Sequence, residues 1–295
     1  MGTPVNLTAG SQVRRLLERY GVRPSRRLGQ HFLVDANVVR QVVEAAGVEP
    51  RDWVLEVGPG LGALTQALLA RAAGVVAVEV DRRLVRALEE SLGRSPGLVL
   101  VQGDALRVDL AAVMSRGGPQ WKAVASPPYY LVGPLLARLL QEGRALSRLV
   151  LVVQREVAER VVAGPGSSAY GVLSVLVAYH ARARVVARVS PACFYPPPAV
   201  DSAVVRLDRR PAGEIPAAEA PLLRVVRAAF GQRRKTLLSA LAGARELGMG
   251  REGAARALEA AGIDGRRRGE TLGLEEFCRL SEAAAALGKT GPGGV

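Results

Sequence analysis

Cysteine is nearly absent from this sequence. The 295 residues hold two, Cys193 and Cys278, with no CxxC or Cys/His spacing around them, so neither a disulfide framework nor a structural zinc site is expected. Long apolar runs are missing as well: no uninterrupted stretch reaches the roughly 18 apolar residues that a membrane span needs. Residues 1–10 also lack the basic segment followed by an apolar run that marks a secretory leader. These absences predict a soluble, cytoplasmic protein with no membrane association. No segment repeats itself along the chain.

Negative charge is the other shortage. Asp and Glu number 27 against 40 Lys and Arg, a formal charge of +13. That excess favours a polyanionic partner through counterion release and long-range steering, with nucleic acid ahead of a membrane surface. The length suits one sizeable α/β domain plus a smaller attachment, at roughly 100–200 residues per domain.

From Trp53 onward, short apolar runs alternate with helix-period segments, the pattern of βα units building a parallel sheet. Strands are expected at 53–57, 75–80, 98–101, 123–126 and 149–153, and helices at 63–71, 83–92 and 132–142. Val-rich alternation at 183–189 and 199–208 reads as further strands, antiparallel at one edge. Pro, Gly and acidic residues then cluster over 209–221 without apolar periodicity, which places a domain boundary there. Beyond it, helical periodicity at 222–231, 235–241, 251–261 and 274–287 predicts a small bundle. Ahead of the sheet, 11–20 reads as a short helix and 23–27 as a basic linker. The expected division is an N-terminal extension over 1–27, an α/β domain over 28–211, and a helical domain with its tail over 212–295.

The first strand runs into Glu56-Val57-Gly58-Pro59-Gly60-Leu61-Gly62, a Gly-rich turn opening a helix. Gly58 and Gly60 let the backbone turn tightly and approach a ligand closely, as in nucleotide-binding crevices. The second strand ends at Glu79, where an acidic side chain can take both hydroxyls of a ribose. The third ends in Gly103-Asp104-Ala105, offering a second carboxylate that can accept from an adenine amino group. Plainer readings stand beside these: a structural turn, and a helix N-cap at Asp104. A dinucleotide oxidoreductase would share the turn and Glu79, but its glycines follow G-x-G-x-x-G whereas this turn is E-x-G-x-G-x-G.

The fourth strand ends in Ser126-Pro127-Pro128-Tyr129, which resembles the signature of amino-methyltransferases: Asp, Asn or Ser, then Pro-Pro or apolar-Pro, then an aromatic. Proline fixes φ and removes a donor, so neighbouring carbonyls are held rigidly and stay free to accept. Hydrogen bonds from a base amine to the Ser126 hydroxyl and the Pro127 carbonyl would free the nitrogen lone pair for in-line methyl transfer. Tyr129 would stack on the base. The plainer reading is a Pro-rich loop with a core tyrosine.

Taken together, these segments resemble the ribosomal RNA adenine dimethyltransferase family over residues 27–280. The resemblance also includes Leu28-Gly29-Gln30-His31-Phe32-Leu33-Val34-Asp35 and Phe194-Tyr195-Pro196-Pro197-Pro198-Ala199-Val200-Asp201-Ser202. It implies a Rossmann-like class I methyltransferase sheet, S-adenosylmethionine as cofactor, and dimethylation of two adjacent adenosines near the 3′ end of small-subunit ribosomal RNA. By the same resemblance His31 and Leu33 contact the cofactor, Gly58 its methionine end, Glu79 its ribose and Asp104 its adenine. Phe194 is expected to face the target base opposite Tyr129. Phe230-Gly231-Gln232-Arg233-Arg234-Lys235-Thr236-Leu237 and Arg268-Gly269-Glu270-Thr271-Leu272 match further family positions. Of these, Arg233, Arg234 and Lys235 are the candidates for phosphate contacts, a solvated helix start being the plainer reading. Basic residues at 23–27 and 266–268 extend that footprint.

Serine stands where the family usually has Asn, and Pro127 where it has Leu or Ile. A hydroxyl is shorter than an amide and leaves room for an amine already carrying one methyl. No strong base and no metal are expected, because the sulfonium is an activated donor and positioning supplies much of the acceleration. A monomer suffices for this chemistry. Two rival readings remain: a large-subunit RNA adenine methyltransferase of the erythromycin-resistance type, and an assembly or transcription factor with a vestigial cofactor site.

Overall fold

Runs of Val, Leu and Ala become the strands of a sheet because their side chains are buried at successive positions, which requires cover on both faces. The protein is described here from a computed structural model, which describes residues 7–24, 29–93, 95–211, 213–215, 217–232 and 234–289. Its contacts divide the chain into two units, one formed by 1–158 with 182–209 and the other by 159–181 with 210–295.

The first unit carries strands β1 (Phe32–Leu33), β2 (Trp53–Val57), β3 (Gly74–Glu79), β4 (Leu98–Gln102), β5 (Trp121–Ala125), β6 (Leu146–Gln154), β7 (Ala181–Val189), β8 (Phe194–Tyr195) and β9 (Ser202–Arg209). Its helices are α1 (Gly10–Arg19), α2 (Ala36–Ala46), α3 (Ala63–Leu69), α4 (Arg82–Leu92), α5 (Leu110–Met114) and α6 (Val132–Gln141). Among the described residues the main sheet has seven strands in the order β4-β3-β2-β5-β6-β9-β7. The five strands β4 to β6 in that order pair in parallel, and β9 runs antiparallel to β6. The expected strands, the helices at 63–71, 83–92 and 132–142, and the antiparallel edge are therefore observed with end shifts of a few residues. On one face Val38, Val39, Val42 and Val43 of α2 pack on Val54, Val124, Val150 and Val204 of the sheet. Arg209 ends β9 by donating to the carbonyls of Leu139, Leu140, Gly143 and Leu146, which satisfies the open end of α6.

At the base of the sheet a buried ion pair joins Lys122 to Asp52 at 2.5 Å, and the same ammonium donates to the Gly47 carbonyl. The two side chains are 10% and 5% exposed.

The second unit is helical, with α8 (Val172–His180), α9 (Glu219–Gly231), α10 (Leu237–Ala242), α11 (Gly250–Ala260) and α12 (Leu274–Lys289). Helix α7 (Arg155–Val162) spans the division. Leu222, Val226, Leu241, Leu258, Phe277 and Leu280 form its core. Among the described residues no helix is long and apolar enough to cross a membrane.

The division differs from the expected 28–211 and 212–295. Residues 159–181 join the helical unit because Tyr170 and Val175 are buried in its core, and the Tyr170 hydroxyl donates to the Leu272 carbonyl at 2.9 Å. The N-terminal segment is likewise not a separate extension where it is described: Val13 and Leu17 of α1 bury against Phe32, Leu61 and Leu84 in the first unit. Residues 25–28, the heart of the expected basic linker, lie outside the described residues, as does Arg233.

Candidate active site

The strand order reverses between β2 and β5: from β2 the chain builds outward through β3 to β4, then returns to place β5 on the other side of β2. Loops leaving the carboxyl ends of strands diverge at such a point and open a crevice. A cavity of about 120 Å³ lies there, walled by the residues that follow β2, β3, β4 and β5. Gly58, Gly60, Glu79, Asp104, Ser126 and Pro127, all singled out from the sequence, meet on its wall, and His31 closes it from the N-terminal side.

The turn after β2 depends on glycine. Gly58 and Gly60 have φ of +69° and +60°, a region that side chains with a Cβ rarely enter. A Cβ on Gly58 would lie 3.8 Å from the Ser126 carbonyl oxygen and from Pro127 Cα, so the missing side chain keeps the space between the two strand ends open. On Gly60 it would press on the Phe32 ring at 3.1 Å.

Two carboxyls sit beneath this turn in different environments. Glu79 is 6% exposed and accepts from the backbone N–H of Gly60 at 3.2 Å and of Asp81 at 2.9 Å. Burial raises its pKa, and those N–H groups act against the rise by favouring the charged form. Glu56 is 1% exposed, and neither of its oxygens nor the hydroxyl of its neighbour Thr65 has a hydrogen-bond partner. Burial pushes the Glu56 carboxyl up to about 8. Asp104 is more open. One of its oxygens accepts from Leu106 N–H at 2.9 Å and the other lies 3.6 Å from Arg107, so it shapes its own turn while its side chain stays on the wall.

After β5, Ser126 faces the cavity and Pro127 is buried beside it. Among the described residues neither the Ser126 hydroxyl nor the Pro127 carbonyl takes a hydrogen bond, whereas the Pro128 carbonyl is used by Leu131 N–H. Two rigidly held acceptors are therefore free at the wall. Tyr129 sits just behind it, half-buried, with its ring 5.5 Å from that of His31. The next residue, Tyr130, lines the cavity and is 58% exposed.

Besides Tyr129, two expected site residues, Leu33 and Phe194, are off this wall. Strands β1 and β8 pair antiparallel, Phe32 opposite Tyr195 and Leu33 opposite Phe194. Alternation along so short a ladder sends each pair to one side: Phe32 and Tyr195 turn towards α1, and Leu33 and Phe194 turn into the sheet core. Phe194 is thus 4% exposed and off the wall, so the expected face-to-face arrangement with Tyr129 across the cavity is not what the structure places there. Leu33 lines a smaller neighbouring cavity that shares His31, Gly58 and Ser126 with the first.

With that geometry in view, the sequence profile described as ribosomal RNA adenine dimethylase matches residues 22–285. The chain belongs to this family. The dimethylase family includes relatives called ribosomal RNA small subunit methyltransferase A. The protein of that name from Pelotomaculum thermopropionicum is 49% identical over 280 residues, covering 92% of this chain and 95% of the relative. That from Moorella thermoacetica is 48% identical over 274 residues, covering 90% and 94%. In fold the chain is similar to a dimethyladenosine transferase from Plasmodium falciparum, with a TM-score of 0.70 at 24% identity, over 84% of this chain and 95% of that one. It is also similar to the 23S ribosomal RNA methyltransferase ErmE, with a TM-score of 0.64 at 27% identity, over 86% and 99%.

The residues expected to contact phosphate lie in the helical unit. Arg234 and Lys235 are exposed just before Thr236, whose hydroxyl accepts from Ser239 N–H and caps α10. The sequence reading passed over Tyr130, because the signature draws attention to the first aromatic after the prolines and nothing in a tyrosine pair tells which ring reaches the wall.

Proposed function

We propose that this dimethylase takes S-adenosylmethionine in the cavity at the sheet's switch point and dimethylates the exocyclic amines of two adjacent adenosines near the 3′ end of small-subunit ribosomal RNA. The observation that carries the reading is the meeting of Glu79, Asp104, the Gly58 turn and the free acceptors of Ser126 and Pro127 on one wall. Relatives 40–49% identical over nearly the whole chain are called small-subunit enzymes, which favours that substrate over the large-subunit alternative.

The residues present fit the cofactor. Glu79 is a buried carboxylate held by two N–H groups and suited to paired ribose hydroxyls, and Gly58 leaves room that a Cβ would fill. Asp104 would accept from the adenine amino group, with His31 closing the N-terminal side and Leu33 lining the adjoining cavity. When bound, the cofactor supplies a methyl already activated on a sulfonium. The Ser126 hydroxyl and the Pro127 carbonyl accept hydrogen bonds from the target amine, which turns its lone pair out of conjugation and orients it. The Tyr129 ring packs against the base, and the displaced proton leaves to solvent. Arg234 and Lys235 contact phosphates of the RNA, and the protein acts in the cytoplasm as a monomer.

The test is methyl transfer from labelled S-adenosylmethionine to undermethylated small ribosomal subunits, followed by digestion to nucleosides. Dimethyladenosine is expected; cofactor binding without any methylated adenosine overturns the reading.

A further inference from the structure

The half-buried ring of Tyr129 is held at two points. Its hydroxyl shares a 2.8 Å hydrogen bond with Ser202 Oγ, and its ring lies 5.5 Å from that of His31 with a 30° tilt. His31 is fixed in turn, its Nδ1 donating to the Pro196 carbonyl at 2.7 Å. Ser202 is wholly buried at the first residue of β9, opposite Gln154 at the last residue of β6. Its hydroxyl is therefore part of the rigid sheet. Tyr129, by contrast, starts a three-residue 3-10 turn directly after the two prolines. Backbone packing there is close, with the Tyr129 nitrogen 3.4 Å from where a Cβ on Gly29 would lie, but it acts at the main-chain end of the side chain.

A tyrosine ring has two side-chain torsions, so fixing its backbone leaves its plane free. A tether at the hydroxyl, which lies on the ring axis, fixes the direction of that axis, and the His31 ring beside it restricts rotation about it. We propose that Ser202 is a positioning residue, which ties the Tyr129 phenol to the sheet and so sets the direction of the ring axis, holding the ring between that tether and His31 where the target base rests beside Ser126. Ser202 touches neither base nor cofactor; it acts through Tyr129, and the inference rests on the function proposed above. Preorganisation of this kind matters in proportion to how strictly the amine must face the methyl donor.

The experiment compares wild type, Ser202→Ala, Tyr129→Phe and the double variant at saturating RNA and cofactor. Each single substitution is expected to lower kcat by roughly two- to tenfold, the worth of one neutral hydrogen bond. KM for the cofactor stays unchanged, which a merely structural loss would not leave intact. The double variant is expected to lose no more than the worse single, because both changes remove the same bond. Losses that multiply, or a Ser202→Ala protein with full kcat, overturn the proposal. Should Ser202→Ala fail to fold, Tyr129→Phe reads the bond from the half-buried side, and an unchanged kcat there overturns it equally. Wild-type turnover reports on the function itself. Independently of turnover, the Cζ resonance of Tyr129 in ¹³C-tyrosine-labelled protein, identified by its loss in Tyr129→Phe, is expected to shift in Ser202→Ala. An unshifted resonance overturns the tether whatever the substrate.

Discussion

Glu56→Gln exchanges a buried carboxyl for an amide of nearly the same shape, and the consequence can be worked out from its surroundings. In the folded protein burial holds the carboxyl at about 8, against an ordinary value of 4.5. Between those values the folded state keeps a proton that the unfolded chain has released. Stability therefore falls as pH rises from the lower value and levels off above the higher one. At about 1.4 kcal/mol per pH unit, ionising Glu56 costs the fold roughly 3–5 kcal/mol by the end of that window. The amide does not titrate. It shifts stability by the same amount at every pH. Urea unfolding of both proteins at about pH 5, 7 and 9 separates the two effects, and the variant is expected to gain at least about 3 kcal/mol on wild type across that range. Parallel stability curves would show that Glu56 ionises freely, and the account of an unpartnered acid beneath the Gly58 turn would be wrong.

Other substitutions test other parts of the structure. Asp52→Ala leaves the Lys122 ammonium buried without its carboxylate and is expected to cost about 3–5 kcal/mol in thermal or urea unfolding, most of it restored by adding Lys122→Met. Gly60→Ala forces a Cβ into positive φ, at about 1–2 kcal/mol, and displaces the Phe32 ring; calorimetric titration should show weakened S-adenosylmethionine binding, and unchanged affinity would contradict the contact. Phe194→Ala is expected to lower stability by about 3–5 kcal/mol, as for a core aromatic, with unfolding measured by circular dichroism; a small loss with a large drop in turnover would instead place the ring at the base. Reversing Arg234 and Lys235 to Glu is expected to reduce the slope of log affinity for RNA against log salt by about one per residue, with cofactor affinity unchanged.

The central strands were legible because parallel strands covered on both faces are written as largely apolar runs, and 98–101 or 149–153 admit few other readings. The Gly58 turn, Glu79, Asp104 and Ser126 were legible because each follows such a run, where the chain must leave the sheet. Helix α2 was readable and missed, since Val38, Val39, Val42 and Val43 recur at helical spacing after the Asp35 cap; the rest of what escaped had little periodicity to read. Strands β1 and β8 are two residues each, too short for alternation to register, and without their register the inward turn of Leu33 and Phe194 cannot be derived. Helix α8, Val-Leu-Ser-Val-Leu-Val-Ala-Tyr-His, has no polar face and a β-branched composition, so neither its helical state nor its place in the second unit shows in the sequence. The isolation of Glu56 is also a property of the packed structure, since an acid one residue before a strand end is usually wet.

The patch of β1 and β8 also bears on the order in which the protein is made. It joins positions about 160 residues apart, a loop whose closure costs roughly 4–5 kcal/mol of chain entropy, more than four residues of ladder can return. The patch can form only after the sheet has drawn its two ends together. His31, on the cavity wall, donates its hydrogen bond to the carbonyl of Pro196, one residue past that patch. A nascent chain that has emerged only through β6 has the strand ends and the glycine turn but an open-sided cleft, and the site is enclosed once synthesis has passed Pro196.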